Sequence, residues 1–253
     1  MSLHNSMKKQ GHFLFRWRSY LPLLMIAPLL AAFTESAQME AWMGDQPEDL
    51  WVLFCFLFSL FGLGIRWFTV GFIPAGTSGR NAKAQRAERL NTTGIYSVVR
   101  NPLYLGNFIA ILGVVLSIKV WWLAIIFSLA FWMYMERIIL TEEDFLRDKF
   151  GQAYDDWAQK TPAVVPDFRL WQGPDMEFSP KTVLRREYQG LLGMGTAFFV
   201  TEFITDVLVE KEPFTYWLRE DIAWPVIYSM ILLFTLTLRH LKKHTDVLKV
   251  KGR

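Results

Sequence analysis

The chain has 253 residues, of which 52% are apolar and 16% aromatic, and its net charge at neutral pH is +3. A net charge this small does not favour nucleic acid as a partner, and the single cysteine excludes an intrachain disulfide framework or a cysteine metal cluster. The apolar residues are gathered into runs that charged segments separate, which is typical of a membrane protein. We therefore expect an all-α fold, a polytopic bundle of transmembrane helices.

Six apolar runs predict transmembrane helices, each of which needs about 20 mostly apolar residues. The runs are residues 20–33, 51–73, 103–118, 120–140, 190–209 and 222–238. A cleaved signal peptide is the alternative interpretation of the first run, because a basic start precedes a short apolar stretch. The third and fourth runs are joined by little more than Lys119, which predicts an antiparallel helical hairpin. Arg66, Glu202 and Asp206 lie within runs and are costly in lipid, so each needs an internal partner or a place in an acceptor cavity.

Basic and acidic side chains alternate from loop to loop. Residues 1–18 contain four Lys and Arg and no acidic residue, whereas residues 34–50 contain five acidic residues and no basic one. Residues 74–102 contain five Lys and Arg against one Glu, and the tail from Arg239 contains six Lys and Arg. Because cytoplasmic loops are enriched in Lys and Arg, these counts predict an even number of spans with both termini in the cytoplasm. Residues 74–102 and 141–189 are then the substantial cytoplasmic loops.

The first of these loops leads into the third span through a polar segment. From Gly94 to Gly106 it reads GIYSVVRNPLYLG. Pro102 disfavours helical angles at Asn101 and suits the first turn of the helix that follows. The main-chain NH groups of that turn, with the side chains of Arg100 and Asn101, can receive a carboxylate. A plain helix boundary with an interfacial arginine is the alternative interpretation of the same residues.

Two blocks of residues give this region a family resemblance. The first block is Thr92 to Tyr96 with Arg100 to Gly106, and the second is Glu142-Glu143-Asp144-Phe145-Leu146, Phe150-Gly151, Tyr154 and residues 162–166. In this order, on either side of a two-span hairpin, the blocks resemble the isoprenylcysteine carboxyl methyltransferase family and its phospholipid methyltransferase relatives. The resemblance covers about residues 50–168.

The resemblance divides the chain into three parts. Residues 1–50 are an N-terminal segment with the first transmembrane helix. Residues 51–168 are a methyltransferase core with three transmembrane helices and cytoplasmic loops, and residues 169–253 are a C-terminal extension with two transmembrane helices. For the last two spans two roles are open, which are the completion of a lipid chamber and the formation of a homodimer.

S-adenosyl-L-methionine is the cofactor that the resemblance implies, in a pocket on the cytoplasmic side. The expected cofactor-binding residues are Asn81, Arg89, Leu90, Asn91, Tyr96, Arg100, Asn101, Pro102, Leu103, Tyr104, Glu142 and Glu143. Which of the two glutamates contacts the cofactor stays open. Many family members have His where this chain has Asn101, and Asn does not titrate near neutral pH. We therefore expect Asn101 to bind rather than to transfer protons.

Glu143 and Arg137 are the candidate catalytic residues. Arg137 is included because the family places an arginine that contacts the substrate shortly before its pair of glutamates. Methyl transfer from a sulfonium requires alignment of donor and acceptor and exclusion of water, and it requires no metal. The four histidines lie in terminal segments without ligand spacing, so we expect no metal site.

The resemblance, together with the membrane spans, implies methyl transfer from S-adenosyl-L-methionine to an acceptor embedded in the membrane. Basic side chains on the cytoplasmic side favour a lipid headgroup, an amine or a phosphate, as the acceptor. Prenylcysteine carboxylates and small thiols are the alternative acceptors. An NADPH-dependent lipid or sterol reductase and a non-catalytic membrane scaffold are the rival functions. We expect the protein in a bacterial cytoplasmic (inner) membrane, with the lipid bilayer as its partner.

Overall fold

The computed structural model describes residues 3–17, 24–43, 45–74 and 87–253. Its helices are α1 (Leu3–Trp17), α2 (Ile26–Met43), α3 (Asp45–Gly71), α4 (Pro102–Ser117), α5 (Trp121–Phe150), α6 (Gln152–Ala158), α7 (Pro180–Phe203), α8 (Phe214–Glu220) and α9 (Ala223–His244). A π-helical segment, Ile204–Val209, continues α7, and 3₁₀ turns lie at Ile95–Ser97 and Phe168–Leu170. The predicted all-α fold class is confirmed.

Among the residues that the structure describes, four helices are long and apolar enough to cross a membrane. They cover Pro47–Gly71, Trp121–Phe150, Pro180–Val209 and Ala223–His244. Two shorter apolar helices, Ile26–Ser36 and Pro102–Ser117, lie at the first and third predicted spans. The chain is therefore a multi-pass helical membrane protein, while the count of six spans stays a prediction. The predicted start of the first span, residues 20–23, lies outside the described residues.

Several helices continue beyond the apolar runs that predicted them. Helix α2 ends at Met43, so that much of the acidic segment 34–50 is helix rather than loop. Helix α5 continues past Leu140 to Phe150, and α7 begins at Pro180, well before the fifth run. The residues that flank these runs are rich in Ala, Glu, Leu, Lys and Arg, which favour helix. Hydrophobicity therefore located the helices but not their ends.

Helices α3 and α4 approach each other closely through glycine. A Cβ added at Gly62 would lie 2.4 Å from the main-chain nitrogen of Ala110, and one at Gly106 would lie 2.7 Å from the carbonyl oxygen of Gly62. Small residues at such crossings allow backbone contact within a membrane. Ser59 Oγ also donates to the carbonyl oxygen of Ala110 at 2.8 Å. This packing fixes α4, whose first turn carries the end of the polar segment, against α3.

Helices α4 and α5 form the predicted hairpin. The ring centroid of Phe108 lies 5.2 Å from that of Phe131 and 5.1 Å from that of Trp132. Lys119 takes a positive φ of 66° in the connection and forms an ion pair with Glu48 at the start of α3. Because the two helices are antiparallel, the beginning of α4 lies beside the later turns of α5.

The acidic residues of the fifth predicted span lie in a buried polar region near the tip of this hairpin. Asp206 accepts a hydrogen bond from Trp217 Nε1 at 2.9 Å. Glu202 is 8% exposed and lies near Asp206 and Lys119. For Asp206, the expected internal partner is confirmed.

Candidate functional site

The polar segment before α4 owes its shape to one glycine and one proline. Gly94 has φ of 60° and ψ of −134°, a conformation that side-chain-bearing residues rarely adopt. Asn101 caps α4 with φ of −121° and ψ of 55°, and Pro102 is the first residue of the helix. The predicted helix boundary at Asn101 and Pro102 is therefore confirmed.

The proline-bearing segment that follows α6 supports residues 100 and 101. The main-chain NH of Arg100 donates to the carbonyl oxygen of Pro162 at 2.9 Å. The Asn101 side chain donates through Nδ2 to the carbonyl oxygen of Ala163 at 3.0 Å. Asn101 thus holds the proline-bearing segment in this structure, and its predicted role in binding the cofactor stays a prediction.

The two glutamates of α5 each contact one residue of the polar segment. Tyr104 Oη donates a hydrogen bond to Glu142 Oε1 at 2.8 Å. Arg100 Nη2 lies 3.2 Å from Glu143 Oε1, with side chains that are 17% and 19% exposed. The antiparallel hairpin explains this pairing, because it places the first turn of α4 next to the turn of α5 that carries the glutamates. The structure therefore brings the two sequence blocks together.

Three polar atoms at this place are buried and have no well-aligned hydrogen bond to the described residues. They are Arg100 Nε, Tyr154 Oη and Glu143 Oε1, the last of which still lies 3.2 Å from Arg100 Nη2. Burial raises the pKa of Tyr154 above its usual value, and the nearby Glu143 carboxylate raises it further, so the phenol keeps its proton at neutral pH. Buried polar atoms are nearly always hydrogen-bonded. Their grouping here fits a polar ligand that completes the hydrogen bonding.

Tyr96 lies inside the fold next to the same cluster. Burial and the Glu142 carboxylate raise the pKa of Tyr96, against a lowering by Arg186 and Arg66. Its carbonyl oxygen accepts a hydrogen bond from Trp157 Nε1 at 3.0 Å. Tyr96 is therefore a neutral hydroxyl in a polar region that also contains charged residues from α3, α5 and α7.

Four of the predicted cofactor-binding residues line one narrow cavity, of about 20 Å³. They are Arg89, Leu90, Asn91 and Tyr96. The rest of its wall consists of Thr69, Phe72, Ile73, Pro74, Thr93, Ile95, Pro174, Asp175 and Met176. Arg100 lines a different, open depression of about 610 Å³, together with residues between 158 and 169. Five of the twelve predicted residues thus line two concavities, and Asn81 lies outside the described residues. Six line neither of these two concavities, namely Asn101, Pro102, Leu103, Tyr104, Glu142 and Glu143.

Arg137 does not join the pair of glutamates. Its Nε donates to Gln10 Oε1 of α1 at 2.9 Å, and its Nη1 lies 3.7 Å from Glu136 Oε2. Arg137 and Glu143 are six residues apart on one helix, which separates their directions by about 120° at 100° per residue. The structure therefore places this predicted catalytic residue apart from the Glu142 and Glu143 cluster.

A network around Arg66 includes a residue that sequence reasoning missed. Arg66 Nη2 lies 2.8 Å from Glu187 Oε2, and Arg66 Nη1 donates to Asn107 Oδ1 at 2.8 Å. The network connects α3, α4 and α7. Arg66 was recognisable as an intramembrane charge in need of a partner. Glu187 was not, because it lies before the apolar run of its helix.

A sequence model of the phospholipid methyltransferase family matches residues 55–153. The chain is 34% identical over 130 residues to a nickel-cobalt-cadmium resistance protein, NccN, of Alcaligenes xylosoxydans xylosoxydans. That alignment covers 51% of this chain and 58% of the relative. It is 35% identical over 85 residues to a protein-S-isoprenylcysteine O-methyltransferase of Schizosaccharomyces pombe, covering 34% and 36%. It is 33% identical over 119 residues to a cobalt-zinc-cadmium resistance protein, CzcN, of Cupriavidus metallidurans, covering 46% and 52%.

These matches cover between about a third and somewhat more than half of the relatives' own lengths. No solved structure matches the chain. The matched residues 55–153 include the polar segment before α4, the hairpin and both glutamates. Residues 55–153 therefore resemble the phospholipid methyltransferase family, and the isoprenylcysteine methyltransferases among the relatives confirm the resemblance that the two sequence blocks indicated.

Proposed function

We propose that the protein transfers a methyl group from S-adenosyl-L-methionine to a membrane-embedded acceptor, a lipid headgroup with an amine or a phosphate. The observation that carries the proposal is the pairing of Tyr104 with Glu142 and of Arg100 with Glu143. The pairing gathers the two family blocks at one end of a membrane hairpin. A water-soluble donor and a bilayer-bound acceptor can meet at such a place.

The residues at this place fit the proposed cofactor. Arg100 Nε, Glu143 Oε1 and Tyr154 Oη are buried without a well-aligned hydrogen bond to the described residues, and Glu143 Oε1 lies 3.2 Å from Arg100 Nη2. A carboxylate attracts the cationic sulfonium and ammonium groups of the cofactor, and a guanidinium pairs with its carboxylate. When bound, S-adenosyl-L-methionine supplies an electrophilic methyl group.

The chain's own residues would then bind the cofactor, orient it toward the acceptor and exclude water from the site. Glu142, which Tyr104 holds in place, and Glu143, which Arg100 holds, would fix the position of the cofactor. Such fixed charges accelerate an in-line displacement by aligning the reactants rather than by taking part in covalent chemistry. Arg137 stays a candidate for acceptor contact on another face of α5, since its position excludes direct pairing with Glu143.

The choice of acceptor rests on the membrane setting and on the relatives. The family name refers to phospholipids and several relatives are named for isoprenylcysteine, and both acceptors carry hydrocarbon chains. Two relatives are named for metal resistance. Within the part of the chain that the structure describes, no group of three or more His, Cys, Asp and Glu is placed to hold a metal ion. We therefore build the proposal on the methyl-transfer core that the family shares.

The proposal includes a topology. The counts of Lys and Arg support six spans with both termini in the cytoplasm of a bacterial cell, which puts the cluster at the cytoplasmic face of the inner membrane. A homodimer is the proposed assembly if the last two spans pack against a second copy.

Binding measurements on protein purified in detergent test the proposed function. We expect S-adenosyl-L-methionine to bind and NADPH not to bind. NADPH binding alone would favour a reductase, and binding of neither would favour a scaffold. An Asn101→Ala or Glu143→Ala variant that binds the methyl donor as well as the parent would contradict the proposed site.

Lipid mass spectrometry tests the acceptor. The protein in vesicles of phosphatidylethanolamine and phosphatidylglycerol, supplied with S-adenosyl-L-methionine, should convert one lipid to a product heavier by one CH₂. A prenylated cysteine and a small thiol, added in separate reactions, test the alternative acceptors. Methylation of the prenylated cysteine or of the small thiol, with no methylation of either lipid, would overturn the assignment of a lipid headgroup.

A further inference from the structure

A segment of the C-terminal extension, residues 171–178, is attached to the polar segment of the core. Gly94 NH donates to the carbonyl oxygen of Gln172 at 3.0 Å, within an isolated antiparallel bridge. Gln172 NH donates in turn to Ser97 Oγ at 2.9 Å. The family match ends at residue 153. The extension therefore adds a connection that the family match does not include.

The other end of residues 171–178 is attached to the end of α3. A Cβ added at Gly71 would lie 2.1 Å from the Phe178 ring, so the ring lies directly against the glycine. Ser179 NH donates to the carbonyl oxygen of Gly71 at 2.9 Å, and Arg253 Nη1 donates to the same oxygen at 2.7 Å. Because both ends are attached, the residues between them have a defined position.

The middle of residues 171–178 forms one wall of the narrow cavity. Pro174, Asp175 and Met176 lie opposite Arg89, Leu90, Asn91 and Tyr96, the residues predicted to bind the cofactor. Arg89 Nη2 contacts Asp175 Oδ2 at 2.6 Å, with side chains that are 60% and 45% exposed. An ion pair this exposed contributes little to folding stability. The fold therefore does not depend on this pair, and both charges are accessible to a ligand.

We propose that residues 174–176 are a wall of the methyl-donor site and that Asp175 is a binding residue for the donor. The proposal rests on the proposed function. Arg89 contacts Asp175 through Oδ2, and a carboxylate accepts hydrogen bonds from ribose hydroxyl groups such as those of the donor. Because the cavity is narrow and the pair is exposed, Arg89 and Asp175 would separate as the donor binds.

Calorimetric titration of S-adenosyl-L-methionine into the full-length protein tests the proposal. The Asp175→Asn variant keeps the size of the side chain and removes its charge, and we expect it to weaken binding about tenfold, as for the loss of one charge-assisted hydrogen bond. Glu177→Gln is the matched control, because Glu177 carries the same charge in the same segment but does not line the cavity. We expect that control to bind as the parent does.

A labelling experiment distinguishes a direct role in binding from a loss of structure in the variant. Cys55 is buried, so a cysteine introduced at position 175 reports its own exposure to a maleimide. We expect S-adenosyl-L-methionine to slow labelling of Asp175→Cys at least fivefold. Labelling of Gly173→Cys, whose added side chain would meet open space, should not change.

The possible failures are distinguishable. A parent protein that does not bind S-adenosyl-L-methionine contradicts the proposed function. A parent that binds, with an Asp175→Asn variant that binds equally well, overturns only the role of Asp175. Equal weakening by Glu177→Gln, or equal protection at position 173, would also overturn it, since either result indicates a general effect on the segment.

Discussion

Replacing Arg66 with methionine removes the cation from an ion pair inside the helical bundle. Arg66 Nε and Nη2 both lie 2.8 Å from Glu187 Oε2, and the two side chains are 15% and 4% exposed. Removal of one partner of a buried pair leaves an uncompensated charge and costs about 3–5 kcal/mol. We therefore expect the free energy of unfolding to fall by about 3 kcal/mol, the lower end of that range.

Unfolding in detergent micelles by added sodium dodecyl sulfate, followed by helical circular dichroism, measures this loss. The double variant Arg66→Met with Glu187→Leu removes both charges and should recover most of it, since apolar pairs often replace buried ion pairs without loss. Arg169→Met is the control, because Arg169 is 90% exposed in its pair with Asp167 and should leave unfolding unchanged. An Arg66→Met variant as stable as Arg169→Met, or a double variant no better than the single one, would refute the reasoning.

Two further predictions address the helix contact and the cluster. Gly62→Ala should destabilise the protein by about 1–3 kcal/mol in the same unfolding assay, because its Cβ would lie 2.4 Å from the Ala110 nitrogen. Gly64→Ala is the control, because its Cβ meets open space and should not destabilise the protein. Equal effects of the two variants would contradict the predicted backbone contact. Tyr104→Phe removes the hydroxyl that donates to Glu142 and should weaken S-adenosyl-L-methionine binding about tenfold, while Tyr216→Phe at an exposed position should not. Unchanged affinity of Tyr104→Phe would show that Glu142 needs no such support.

Local residue chemistry predicted the part of the site that lies along α4 and α5. Pro102 indicated where α4 begins, and the short connection at Lys119 indicated the hairpin. Once the hairpin is antiparallel, the contacts of Tyr104 with Glu142 and of Arg100 with Glu143 follow from the direction of the two helices. This part was predictable because each step depends on residues that are close in sequence or joined by a tight turn.

The contacts made by the extension were not predictable in the same way. Glu187 is separated from Arg66 by 121 residues, and no periodic pattern relates two helices at that distance. Gln172 pairs with Gly94 through main-chain atoms, which leave no signature in residue type. The direction of Arg137 on α5 follows from the angle that separates side chains on a helix, and its contact with the acceptor stays a prediction.

The same contacts bear on the predicted boundary at residue 168. That boundary marks where the family resemblance ends, and it stays a prediction about the extent of the core. However, Arg66 of α3 forms its ion pair with Glu187, which lies on α7 of the extension. The carbonyl oxygen of Gly71, also in α3, accepts hydrogen bonds from Ser179 and Arg253 of the extension. A buried charge without its partner is unfavourable. A core cut at residue 168 would therefore contain an Arg66 without its carboxylate partner, and we expect the extension to be part of the folded unit that holds the cluster.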